Sequence, residues 1–220
     1  MRISTLTVAV VGAAAVNALG QSATTIIADL QSIQNLTEAV TGKINAFNGS
    51  LALALPITSA TNDVLAKLAN ATDDAKKAQP FSSGDAQALA PYTQNLAYAV
   101  NSSIAALIGK KPEFVAGNLA AIVVQSLQGQ YNSSVTFSTA VSLLVPEDTR
   151  AVAQALSSQT LLSLQMGIDC FGKNTSCNPT NFFEAQAEAM AREKAANGAV
   201  SRSAGYGGLV VAGLVAFMML

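Results

Sequence analysis

Apolar residues recur along most of this chain at helical spacing. Ile26, Leu30, Ile33, Thr37, Val40, Ile44 and Phe47 alternate steps of four and three, which lines them up on one face of a helix. Asn48-Gly49-Ser50 punctuates that stripe. A second stripe, Ile57, Ala60, Val64, Leu68, Ala71 and Ala75, predicts a helix from near Leu51 to about Gln79, with Pro56 in a first turn or at a kink. Ser82 or Ser83 can cap a third helix, with Asp85 in its first turn. That helix presents Leu89, Leu96, Val100, Ile104 and Leu107, bends near Pro91, and is broken by Gly109-Lys110-Lys111-Pro112. A fourth helix starts at Glu113-Phe114, shows Leu119, Ile122, Val123, Leu127 and Tyr131, and reaches Leu144. Its Thr-, Ser- and Val-rich second half leaves a strand open as the rival. Pro146 at N1, followed by Glu147 and Asp148, starts a fifth helix through Val152, Leu156, Leu161, Leu164 and Ile168 to Phe171. The expectation is an all-α fold, an antiparallel bundle of about five helices with short links.

The two ends do not fit that bundle. Met1-Arg2, then the apolar run Ile3–Val16, then small residues at Ala18 and Gly20 read as a secretory signal over residues 1–20. A retained anchor is the alternative, but the run is short for a bilayer. At the other end, Leu209–Leu220 is also too short to span, and it lacks the polar face of a core helix. Asn197-Gly198-Ala199, a small or polar spacer and that apolar tail have the order of a glycosylphosphatidylinositol (GPI) attachment signal. Asn197 is the expected lipid-bearing residue, Ser203 the weaker choice, and residues 198–220 the propeptide. Residues 21–172 then form the helical domain, and 173–197 a Cys-containing loop and Ala-rich stalk. The positive mean hydropathy of +0.37 is inflated by the two ends and does not make the chain a membrane protein.

Composition removes several chemistries. The chain has no His, two Cys, and a net charge of −1. No Ser-His-Asp triad, Cys-His pair or His-ligated metal can be built, and no metal site or cofactor is expected. Loss of Arg2 and Arg202 with the two ends makes the mature chain more acidic, which argues against nucleic acid. The adjacent acids Asp73-Asp74 and Glu147-Asp148 point about 100° apart on a helix and suit helix ends better than an acid/base couple. Secretion fits six Asn-x-Ser/Thr sequons, at Asn35, Asn48, Asn70, Asn101, Asn132 and Asn174. Those within helices must face solvent to carry a glycan. In an oxidising compartment Cys170 and Cys177 are expected to pair, a free thiol or an intermolecular bridge being the alternatives.

Four segments carry a family resemblance. "ADLQSIQNLTEAVTGKINAFNG" (28–49), "ATDDAKKAQPFSSGDAQAL" (71–89), "IGKKPEF" (108–114) and "LLVPEDTRAVAQ" (143–154) together resemble the fungal hydrophobic-surface-binding protein A and cell-wall galactomannoprotein family. Their order and spacing extend over about Thr25–Phe171. The two cysteines lie at and past the edge of that pattern, and only some members of the family have a GPI signal. The resemblance implies a secreted or wall-linked, helical, non-enzymatic protein that adsorbs to hydrophobic surfaces or holds a fatty acid between helices. GPI attachment would link it to membrane or to cell-wall glucan. Wide apolar helix faces with few aromatics suit either a dry core or a lipid slot. Ile33, Val40, Val64, Leu68, Leu96, Val100, Phe114, Val123 and Leu127 are the candidate slot residues. Lys110 and Lys111 could clamp a carboxylate, though they read more simply as a solvated helix end. A purely structural glycosylated wall component without a ligand is the alternative.

Overall fold

A computed structural model describes residues 19–173 and Cys177. Among the described residues there are six helices: α1 (Gln21–Ala46), α2 (Leu51–Lys77), α3 (Ser83–Gly109), α4 (Lys111–Ala116), α5 (Ala120–Ser142) and α6 (Glu147–Gly172). The signal segment, the Asn174 sequon, the stalk, Asn197 and the C-terminal propeptide lie outside the described residues.

The predicted stripes become the buried faces. Ile26, Leu30, Ile33, Thr37, Val40 and Ile44 are all buried on α1, and Ile57, Ala60, Val64, Leu68, Ala71 and Ala75 on α2. Serine, not chance, starts α3. Ser82 Oγ accepts from the Asp85 amide at 3.1 Å, and the Asp85 carboxylate accepts in return from the Ser82 amide at 3.0 Å, a reciprocal capping box. Two expectations change and one open alternative closes. The fourth helix is split, because the short α4 ends at Gly117 and Asn118 turns the chain with a left-handed φ of 58°. The Thr/Ser/Val-rich segment stays helical to Ser142, so the strand alternative falls. Pro146 caps α6 from outside rather than occupying its first position.

The five long helices form a closed ring. Each packs extensively against two others, in the order α1, α2, α5, α6, α3 and back to α1. Pairs that would cross the ring make no comparable contact. Consecutive long helices alternate in direction, as expected, but the ring also sets α1 beside α3, α3 beside α6, and α2 beside α5 running the same way. Contacts at the two ends fix these directions. At one end Phe47, after α1, stacks on Phe114 of α4 with centroids 4.2 Å apart, and Phe114 meets Phe171 of α6 edge-on at 6.2 Å. At the other end the Gly20 amide donates to Asp85 Oδ1 at 2.8 Å, the Gln79 amide to Ser22 Oγ at 2.9 Å, and the Phe81 amide to the Leu144 carbonyl at 2.8 Å. The first is called the α4 end below, the second the Asp85 end.

Candidate functional site

All nine candidate slot residues are buried, and all belong to one continuous core: Ile33, Val40, Val64, Leu68, Leu96, Val100, Phe114, Val123 and Leu127. They come from five different helices. They are therefore brought together in the interior of the ring and not in a surface groove. Four more contributors are absent from the candidate slot set, three of them already named as stripe residues. Ile104, Leu164 and Phe171 are in the same core. Gly167 is the fourth: a Cβ there would stand 3.1 Å from Leu127 Cδ1 and 3.3 Å from Ile104. The missing side chain lets α6 approach α3 and α5 over those two residues. The spacing signal existed, since Ala153, Ser157, Thr160, Leu164, Gly167 and Phe171 alternate four and three. Four small or polar members hid it.

The geometry of a five-membered ring constrains the interior. With neighbouring axes about 8–10 Å apart, each axis lies roughly 7–8.5 Å from the centre, and side chains reach about 5–6 Å from their axis. At ideal spacings the side chains of such a ring fall short of the axis by an amount that leaves about 4 Å across the middle, roughly the van der Waals width of one hydrocarbon chain. That middle must be filled by larger side chains or by something else. Its polar lining is muted: the buried Thr37 and Thr72 hydroxyls donate to the Ile33 and Leu68 carbonyls of their own helices, leaving methyl groups to face the core.

The two halves of the interior differ. Toward the α4 end the inward residues of α5 and α6 are buried, namely Val123, Leu127, Leu164, Gly167 and Phe171. Toward the Asp85 end the same stripes continue as Ser134, Ser138 and Val141, and as Ala153, Ser157 and Thr160, all only half-buried. The α5/α6 side of that half is therefore less tightly covered and richer in hydroxyls than the α4 half, although Phe137, Leu144 and Val145 remain buried there. Aromatic rings close the α4 end. Lys111 Nζ lies 5.9 Å from the Phe171 centroid and donates to the Cys170 carbonyl at 2.8 Å. Lys110 pairs with Glu113 at 3.9 Å. Both lysines are held at a helix end by protein groups, which leaves neither as a carboxylate clamp in the interior. Cys170 is disulfide-bonded to Cys177, their Cα atoms 5.8 Å apart.

Outside the ring, a shallow open groove of about 310 Å³ runs between α1 and α3, lined by Gln34, Glu38, Thr41, Asn95, Tyr98, Ala99 and Ser102. It contains none of the candidate slot residues. Of the sequons, Asn35, Asn48, Asn70 and Asn132 are exposed. Asn101 is buried, and its Oδ1 accepts a hydrogen bond from the Ser163 hydroxyl across the α3/α6 seam. The folded bundle has no room for a glycan at Asn101, which corrects that candidate. Among the described residues no cluster of three or more metal-ligating side chains occurs, and no helix is long and apolar enough to cross a membrane.

A closed ring of five long helices around an apolar interior places the domain in the helical-bundle class. The chain belongs to the hydrophobic surface binding protein A family, which matches residues 23–143. It is homologous to fungal cell wall mannoproteins. It is 30% identical over 173 residues to cell wall mannoprotein 1 of Aspergillus fumigatus, covering 78% of this chain and 60% of the relative. The Aspergillus flavus protein of the same name is 30% identical over 162 residues, covering 74% and 58%. The chain thus spans less than two thirds of the length of these relatives. Ligand binding domain 1 of the Penicillium marneffei MP1 protein, complexed with arachidonic acids, shares the fold with a TM-score of 0.65 and 26% identity, over 69% of this chain and 99% of that one. AFMP4P in complex with palmitic acid has a TM-score of 0.66 over 68% and 99%, and at 21% identity it supports the fold alone.

Proposed function

We propose that this protein is a secreted, GPI-anchored cell-surface mannoprotein whose helical ring holds a fatty acid along its axis. The observation that carries the reading is the ring itself. Five long helices packed edge to edge, without comparable cross-ring contacts, enclose an apolar interior, and the MP1 domain with a similar fold is complexed with arachidonic acids. The polarity of the interior suits an amphipathic guest. An acyl chain would lie among Val40, Val64, Val100, Val123 and Leu127 in the α4 half. Its carboxylate would lie toward the half-buried Ser134, Ser157 and Thr160, where water and hydroxyls can solvate it. Titration of the delipidated protein with a fluorescent fatty acid tests this. Saturable binding near one molecule per chain is expected, and no saturable binding at micromolar protein would sink the lipid reading.

The exposed sequons at Asn35, Asn48, Asn70 and Asn132 favour a second role as a glycosylated coat, which needs no ligand. Attachment through Asn197 to membrane or wall glucan is part of the same proposal. Mass spectrometry of the mature protein tests it: a C-terminus at Asn197 bearing glycolipid is expected, and one at Leu220 would refute the anchor.

A further inference from the structure

We infer that the α4 end of the bundle is a docking face for an anionic lipid bilayer. Two observations converge there. First, large apolar side chains are left uncovered in the first turns of α2 and α5 and on α4. Leu51 and Leu55 are each 66% exposed, Ile122 48% and Val115 46%. Leu51 and Leu55 are one turn apart on one face of α2, and α2 and α5 pack side by side with both N-termini at this end. The turn after α4 closes the gap between them: a Cβ at Gly117 would stand 3.3 Å from the Gly49 carbonyl. Isolated exposed apolar residues need no explanation, but four at one edge of one end do.

Second, charge is segregated along the bundle. Among the described residues the α4 end has four lysines, Lys43, Lys110, Lys111 and Lys173, against two carboxylates, Glu113 and Asp169. The Asp85 end has the reverse excess: Asp73, Asp74, Asp85, Glu147 and Asp148 against Lys76, Lys77 and Arg150. Apolar side chains bordered by lysines make the composition of an interfacial membrane contact, with the aliphatic groups entering the headgroup region and the ammoniums meeting anionic lipid. Cys177, tied to Cys170 at the end of α6, also brings the chain out at this same end. If the anchor proposed above is correct, the segment leading to it starts from this face. The apolar side chains and lysines stand at this end with or without that anchor.

The test is vesicle co-sedimentation of the secreted protein, freed of any lipid anchor by a phosphatidylinositol-specific phospholipase. An Asn48→Gln background keeps a glycan at the rim from masking the face. Binding to phosphatidylcholine vesicles containing phosphatidylserine is expected, weakened by salt and by removal of the anionic lipid. The combined variant L51S/L55S/V115S/I122S should lower affinity about tenfold or more, with helicity retained because all four sites are exposed. Lys43→Gln with Lys173→Gln should weaken binding to anionic vesicles only. Leu143→Ser, 75% exposed at the opposite end, should leave binding unchanged. Wild-type protein that ignores vesicles overturns the inference, as does a four-site variant that binds as well as wild type or a Leu143→Ser variant that loses binding. None of these outcomes depends on whether a fatty acid fills the ring.

Discussion

Asp29 is the one carboxylate that the core encloses among the described residues. It lies on the flank of α1 that faces α2, where Lys67 Nζ reaches Oδ1 at 2.6 Å. Its second oxygen, Oδ2, is buried with no hydrogen-bond partner. Such a pair locks one helix against another more than it stabilises the fold, because desolvation offsets most of the attraction. Removing only the cation is the costly change. Lys67→Met is expected to destabilise the protein by about 2–3 kcal/mol, discounted because Lys67 is partly exposed, and D29L/K67M should recover most of that loss. Chemical denaturation of the single and double variants measures both. Asn101 makes a second residue-level prediction. Glycopeptide mapping should find sugar at exposed sequons such as Asn35 and Asn70 and none at Asn101. The sequence could not separate these sites: the motif is identical, and only the α6 partner Ser163 shows that Asn101 faces inward.

At the level of elements, the start of α3 is the most legible feature of the chain and the α4 break among the least. Ser82 and Asp85 announced a helix start by identity and spacing alone, and the structure adds why it matters for the ring. The Asp85 carboxylate is bonded first by the Ser82 hydroxyl, then by the Gly20 and Ser82 amides, and these hold its pKa below the ordinary carboxylate value. A lowered folded-state pKa stabilises above the unfolded value and is lost as pH falls through the folded one. Thermal melts should therefore show this contribution intact at neutral pH and fading below about pH 4, and Asp85→Asn should flatten that part of the pH profile. Ser82→Ala should cost about 1 kcal/mol at neutral pH through the cap. By contrast, nothing in "VAGNLA" required Asn118 to adopt a left-handed φ. The apolar spacing ran on through it, and only the need to carry the chain from the end of α3 across to α5, which are not neighbours, explains the separate α4.

For the whole molecule, the number of long helices and their buried faces were readable because a stripe of period 3.6 has few other uses. The order of helices around the ring was not. A stripe says that a face is covered, not by which partner, and short links suggested neighbours in sequence order. The ring departs from that twice, at α2–α3 and α3–α5, so the candidate residues could be read as buried faces while the core they share was invisible. Gly167 is where the enclosure can be probed. Gly167→Leu should press on Leu127 and Ile104, destabilise the protein by about 1–3 kcal/mol, and lower fatty-acid affinity well beyond that of an exposed-site control. Parallel melts and titrations would separate the two effects. Unchanged affinity in a folded variant would place the acyl chain elsewhere.

The ring order also dictates a sequence of events in time. α3 settles beside α1 only after α2, made between them, has gone to the other side of α1. The circle stays open until α6 seats against both α3 and α5. A chain emerging into the secretory pathway would thus expose the inner faces of α1–α5 until nearly all of residues 147–172 have been made. The segment matched by the family, residues 23–143, stops one helix short of closure. A protein ending at Val145 is accordingly expected to be helical by circular dichroism, to bind a hydrophobic dye strongly and to melt without a cooperative transition. The last helix is then the step at which a partly formed bundle with uncovered apolar faces becomes a closed ring.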